Sequence, residues 1–339
     1  MTRKQIYDSG VIRWSPRQIE PSGTTRPATD TDESPGDQAA PEARGPMPVL
    51  VGCPRSGTTL LTVMLDSHPQ IAMPPETAFL PELKRLAGRE GPSLRREFFA
   101  LLTTDQWGVS NWDDIGIDKG EYWRRLCALR SFSITAGLRV LLGMYADRLG
   151  KPLFGEKTPA DTHCMPQIEE YLPEARFIHV VRDPRDVVLS LRKTSAGLRR
   201  SIEEMSGIWA SMVGIAKSSA QRVRHYHELR YEDLVLDPET ELRKICVFLH
   251  LDYADEMLDY RASGARHIGH LGDRPIANGR GKVPRQLRAR LHENLVQPLR
   301  KDRVHNWRRE MSAEDRAKVE TITAPLMREL GYVIEGGSR

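Results

Sequence analysis

Residues 47–67 read MPVLVGCPRSGTTLLTVMLDS, and this stretch decides the fold. Met47 to Val51 form a short apolar run with β-branched members, which suits a strand covered on both faces. The run stops at Gly52, and from Thr59 onward the apolar residues recur at helical spacing. Between the two lies Gly52-Cys53-Pro54-Arg55-Ser56-Gly57-Thr58-Thr59. Strand, glycine-bearing turn and helix together aim backbone N–H groups and the positive end of a helix at an anion. The glycines have the spacing of a nucleoside-triphosphate loop, yet Thr58 stands where such a loop carries its lysine. Arg55, inside the turn, can supply the missing cation, and a guanidinium grips phosphate or sulfate oxygens through two parallel hydrogen bonds. Taken without its surroundings, the same turn could be only a tight strand-to-helix connection.

On the N-terminal side, Ser15 to Pro46 is rich in Pro, Ser, Thr, Asp and Gly. Residues 1–46 are therefore expected to form a disordered leader, with 47–339 as a single domain. On the C-terminal side the spacing predicts helices through AFLPELKRLAG, SLRREFFALLT and EYWRRLCALRSFSITAGLRVLLGMYADRL. Strand signals follow in PLFGEKT, ARFIHVV and HELRYEDL, with helices after Pro184, around Glu203 to Arg224, after Asp237-Pro238 and from Ser312 to just before Gly331. Strands alternating with helices predict an α/β fold. The expected architecture is a P-loop-kinase-like parallel sheet flanked by helices, with a helical insert after the first βα unit.

A second anion site is expected at Arg182-Asp183-Pro184-Arg185-Asp186, where Arg182 ends a strand and Ser190 lies on the next helix. Two phosphate sites, distinct from one another, imply a nucleotide phosphorylated at both its 5′ and 3′ positions. The charge balance excludes little else: Lys+Arg 50 against Asp+Glu 46 gives a net charge of +4, a poor footprint for nucleic acid. Cys53, Cys127, Cys164 and Cys246 are far apart and show no paired spacing, so reduced thiols and a cytoplasmic location are expected. No run approaches 18 apolar residues, so no transmembrane segment is expected.

With these pieces in place, the chain resembles the PAPS-dependent sulfotransferases, PAPS being 3′-phosphoadenosine-5′-phosphosulfate. Within that family it is most similar to the tyrosylprotein-sulfotransferase-like group and its bacterial relatives. The resemblance rests on PRSGTTLLTVMLDSHPQIAMPPET (Pro54 to Thr77), GEKTP (Gly155 to Pro159), RFIHVVRDPRDVVLSL (Arg176 to Leu191), LRYEDLVLDPETELRKICVFLHL (Leu229 to Leu251) and a segment from Trp307 to Tyr332. It implies that Arg55, Ser56, Gly57, Thr58 and Thr59 hold the 5′-phosphosulfate of PAPS. It implies further that Arg182 and Ser190 hold the 3′-phosphate, and that Tyr231 lies near the nucleotide.

The implied reaction moves a sulfuryl group to a hydroxyl by in-line displacement, and it needs a base for the hydroxyl proton and cations for the leaving oxygen. Glu76 matches the family's glutamate base, with His68 as its rival; Lys157, together with Arg55, matches the groups that stabilise the leaving phosphate oxygen. No metal is expected, because fixed Arg and Lys can take its place. The expected acceptor is a small-molecule or lipid-linked hydroxyl. Two other readings remain at this point: a P-loop kinase-like nucleotide enzyme, which would want Lys after Gly57, and a catalytically silent nucleotide-binding module that recruits a partner through its helical insert.

Overall fold

The computed structural model describes residues 36–104, 111–194, 197–275 and 282–335. Strand β1 (Met47–Val51) leads through the glycine turn into helix α1 (Thr58–Ser67) and the short strand β2 (Ile71–Ala72). The insert follows as a 3₁₀ turn (Leu80–Leu86) and helices α2 (Ser93–Thr103), α3 (Trp112–Ile115), α4 (Lys119–Ala128) and α5 (Ile134–Arg148). The chain then forms β3 (Leu153–Phe154), β4 (Glu156–Lys157), α6 (Met165–Tyr171), β5 (Ala175–Val181), α7 (Pro184–Arg192), α8 (Ile202–Ala220) and β6 (Tyr226–Arg230). It ends with α9 (Tyr231–Leu236), α10 (Pro238–Phe248), α11 (Arg261–His270), α12 (Arg285–His292), α13 (Trp307–Glu310) and α14 (Ala313–Glu329).

The central sheet has the order β4-β1-β5-β6, and each of its pairings is parallel. Alternation along the strands splits the core in two. Leu50, Ile178, Val180 and Leu229 pack with Leu61, Met64 and Leu65 of α1 and with Leu242 and Ile245 of α10. Val49, Val51 and Phe177 face the other way, onto the helices of the insert. Val181 and Cys53 extend that face onto α7, Trp209 and Met212 of α8, and Val319 and Met327 of α14. Burying both faces forces the strands to be continuously apolar, which is the pattern read at Met47–Val51.

Three expectations need correction. Within the described part of the leader, Gln38 forms a parallel bridge with Leu129, Arg139 donates to Pro41 O at 3.2 Å, and Arg44 pairs with Asp147. The ties are backbone pairing and arginine contacts, to which a reading based on apolar content is blind; residues 1–35 of the expected leader lie outside the described residues. The expected single strand PLFGEKT divides at Gly155, with β3 pairing to β2 and β4 pairing to β1. A Cβ at Gly155 would lie 2.3 Å from Met73 Sδ and 2.7 Å from Pro48 O, so the two pairings meet too closely for any side chain. The strand in HELRYEDL ends at Arg230, where α9 takes over.

Candidate active site

The turn after β1 is built from backbone strain and an open helix end. Gly52 (φ 147°) donates its N–H to Thr162 Oγ1 at 3.0 Å, and Arg55 holds a left-handed φ of 73°. Gly57 (φ 95°) precedes α1 and brings no capping side chain, and no acidic residue occupies the first helical turn. Among the described residues no side chain accepts from the first N–H groups of α1, which leaves a positive helix end facing the cleft. A Cβ on Gly57 would come within 2.3 Å of Tyr231 Cδ2, so only glycine lets this turn lie against that ring. Ser56 is fully buried behind the turn, and its hydroxyl has no hydrogen-bond partner among the described residues.

The second expected anion site lies against the first, not apart from it. Arg55 Nε donates to Ser190 Oγ at 3.0 Å, and Arg182 Nη1 donates to Arg55 O at 3.1 Å. Arg182 also donates to Arg303 O at 3.1 Å, and its guanidinium carbon stands 4.4 Å from the Tyr231 ring centroid. Burial and the neighbouring Arg182 press the Arg55 pKa downward, against the pull of Tyr231 and Glu76. The two guanidiniums can together take an anion. They line one open cleft of about 170 Å³ with Thr58, Thr59, Ser190, Tyr231, Tyr260 and Arg303.

The rest of the Arg-Asp-Pro-Arg-Asp run holds Arg182 in place. Asp183 caps α7 by accepting from Arg185 N, and the buried Arg185 guanidinium pairs with Asp183 and with Glu320 of α14 at 2.7 Å each. Arg185 lies over the Trp307 ring at 3.6 Å, while Asp186 Oδ1 accepts the Trp307 N–H at 2.8 Å. A motif that looks like a surface turn is thus a buried ionic tie between α7 and the C-terminal segment.

Beyond Thr59 sits an ion pair. Lys157, fully buried in β4, donates from Nζ to Glu76 Oε1 at 2.5 Å and to Thr59 Oγ1 at 3.3 Å. Arg274 Nη1 lies 3.8 Å from Glu76 Oε2, and Asn111 Nδ2 donates to the Glu76 carbonyl at 2.7 Å. Burial pushes the Glu76 carboxyl up, but Lys157, Arg274 and His292 together outweigh it and hold it at about 2. Behind the lysine the order reverses: burial pushes Glu156 up to about 7, and burial with the nearby Glu156 raises Asp161.

His68, the rival base, is outside this arrangement. Its Nδ1 accepts the Gln70 N–H at 3.1 Å and its Nε2 faces Asp252 O at 3.0 Å, which assigns the proton to Nε2. With 2% exposure and both nitrogens engaged, it ties the end of α1 to the loop after α10. His292, Tyr260 and Arg303, by contrast, line the cleft although no motif in the sequence singles them out. No spacing pattern marks them; only the return of the C-terminal segment over the cleft reveals them.

A parallel sheet whose lysine-free glycine turn opens onto a cleft with a second arginine defines a group-transfer enzyme of the P-loop-like class. The chain belongs to the sulfotransferase family: residues 48–255 match the family described as "Sulfotransferase family". Protein-tyrosine sulfotransferase A of Caenorhabditis elegans is 26% identical over 293 residues, covering 85% of this chain and 67% of that protein. Nodulation protein NoeE of Sinorhizobium fredii is 25% identical over 318 residues, with the same coverage of 85% and 67%. Among solved structures, the sulfotransferase domain from the curacin biosynthetic pathway shares the fold at a TM-score of 0.51 and 19% identity, covering 86% of this chain and 100% of that domain. The corresponding domain of the Synechococcus PCC 7002 olefin synthase gives 0.51 at 22% identity, covering 88% and 99%.

Proposed function

We propose that the chain transfers a sulfuryl group from PAPS to a hydroxyl by in-line displacement, with Glu76 as the base. The observation that carries this reading is that Thr59, which lines the cleft with Arg55, Arg182 and Ser190, accepts a hydrogen bond from the same Lys157 that pairs with Glu76. A donor phosphorylated at two positions matches Arg55 and Arg182 of the cleft, and Arg182 Nε, which has no hydrogen-bond partner among the described residues, can take a further anion oxygen. When bound, PAPS supplies an activated sulfuryl group on its 5′-phosphate.

The chain's own residues do the rest. The uncapped start of α1 and Arg55 grip the 5′ end, while Arg182 and Ser190 grip the 3′-phosphate and Tyr231 provides a flat neighbour. Lys157 stabilises the bridging oxygen as it gains charge, and in doing so releases Glu76 from its ion pair. A carboxylate freed from its cation becomes a stronger base at the moment the hydroxyl proton must leave. No lysine follows Gly57, which disfavours the kinase-like alternative.

A carboxylate base takes a proton most readily from a fairly acidic hydroxyl. A phenol, with an ordinary pKa of about 10, meets this condition better than an alkyl or lipid-linked alcohol. The relatives named protein-tyrosine sulfotransferases support the same choice. We therefore place a phenolic acceptor, small or peptidyl, ahead of a lipid-linked one. The four free cysteines, three of them buried, support the cytoplasm as the site of action.

Incubation with sulfur-labelled PAPS and a panel of phenols, tyrosyl peptides and alkyl alcohols tests the proposal. Label should pass to a phenol and not in the Glu76→Gln protein; binding of PAPS without transfer to any member would support the silent module instead.

A further inference from the structure

His292 ends α12 and lines the cleft with Arg55, Thr58 and Thr59. Among the described residues neither of its ring nitrogens has a hydrogen-bond partner. Its ring contact is with His267 of α11, at 5.4 Å between centroids and 70° between planes. The charges that act on it are Lys157 of β4, Arg55 of the turn, Arg288 one turn earlier on α12, and Glu76. Burial first, then Lys157 with Arg55 and Arg288, hold the imidazole neutral at about 4, with Glu76 opposing. His267, neutral for the same reasons at about 3, adds no charge of its own above that range.

A site already holding Arg55, Arg182 and Lys157 would repel a fourth cation while it is empty of anions. Several negative charges arriving together reverse that field. We propose that His292 is a further donor-binding residue: it takes up a proton as a phosphorylated nucleotide enters the cleft, and the imidazolium then hydrogen-bonds a phosphate or sulfate oxygen. This inference rests on the sulfuryl-transfer reading of the same cleft.

The sign follows from linkage. The free imidazole is unprotonated above about 4, and an anion within hydrogen-bond reach favours the charged ring. Between the free and bound values, nucleotide binding therefore carries a proton in, and affinity falls as pH rises through the bound value. Asp186, also on the cleft wall and pushed up to about 6 by burial, titrates in the same range, as does the nucleotide's own phosphate. The difference between wild type and a non-titrating variant isolates the histidine.

The test is calorimetry with adenosine 3′,5′-bisphosphate near pH 6 in two buffers of different ionisation enthalpy, on wild type and His292→Gln. The glutamine keeps an N–H donor and cannot titrate. Wild type should take up more protons per nucleotide than the variant and bind about tenfold more tightly near pH 6, with the gap closing toward pH 8. Equal proton uptake by the two proteins overturns the inference and leaves the donor reading standing. Absence of any binding to wild type overturns both. Should the variant fail to fold, wild-type histidine ring signals can be titrated by NMR with and without the nucleotide: a midpoint that rises on binding is expected, and no rising midpoint rejects the role.

Discussion

Arg55 Nε and Ser190 Oγ are hydrogen-bonded at 3.0 Å, joining the turn after β1 to helix α7 across 135 residues of chain. The two proposed phosphate sites therefore share a wall, and the serine proposed for one phosphate holds the arginine proposed for the other. An entering nucleotide must take over this bond or extend it.

Ser190→Ala removes the proposed 3′-phosphate contact and also frees Arg55. Adenosine 3′,5′-bisphosphate should bind roughly fivefold to tenfold more weakly, a larger loss than for AMP, which lacks the 3′-phosphate and feels only the released Arg55. Competition binding with the two nucleotides measures the ratio, and an equal loss for both contradicts the assignment.

Glu76→Gln keeps the size of the side chain and removes the proposed base. Turnover should fall by about 10²-fold or more with nucleotide affinity nearly unchanged. The readouts are kcat for sulfuryl transfer and the Kd for adenosine 3′,5′-bisphosphate. A kcat within a few fold of wild type would reject Glu76 as base.

His68→Ala separates the two candidate bases. Losing both ring hydrogen bonds at a buried position should cost about 1–3 kcal/mol of stability, with turnover per folded molecule retained. Denaturant unfolding and kcat report the two effects, and a folded variant without turnover contradicts the structural role given to His68.

The buried Glu156 gives a pH signature of its own. Its pKa is raised from 4.5 to about 7 by burial, so the folded state binds a proton there that the unfolded chain releases at lower pH. The stability contribution is fully present below the unfolded value and is lost as pH rises through the folded one. Thermal melts of wild type should therefore fall between about pH 5 and 8 more steeply than those of Glu156→Gln. The amide oxygen can still accept from Thr77 and Thr158, which donate to the carboxylate at 3.0 and 2.9 Å. Parallel curves for the two proteins exclude a proton on Glu156.

Much of this was legible in the sequence because local chemistry and tertiary role coincide. Met47–Val51 is apolar throughout since both faces are buried, Pro184 opens α7 with Asp183 as its cap, and Ser312 caps α14 by accepting from Asp315 N. Arg55, Thr58, Thr59, Arg182, Ser190 and Tyr231 were all read from motifs and do line one cleft. What stayed hidden depends on chain segments meeting at long range. The division at Gly155 follows from the approach of Pro48 and Met73, and Arg185 turns inward because Glu320 and Trp307 receive it. His292 carries no motif, and its place beside Lys157 and Glu76 exists only once α12 packs over the cleft.

The most direct test of a cleft shaped for both ends of PAPS is calorimetric comparison of adenosine 3′,5′-bisphosphate, AMP and ATP on the wild-type protein. The bisphosphate should bind tightest, and the preference over AMP should collapse in Ser190→Ala. ATP binding as tightly as the bisphosphate, or no preference for the 3′-phosphate, would contradict it.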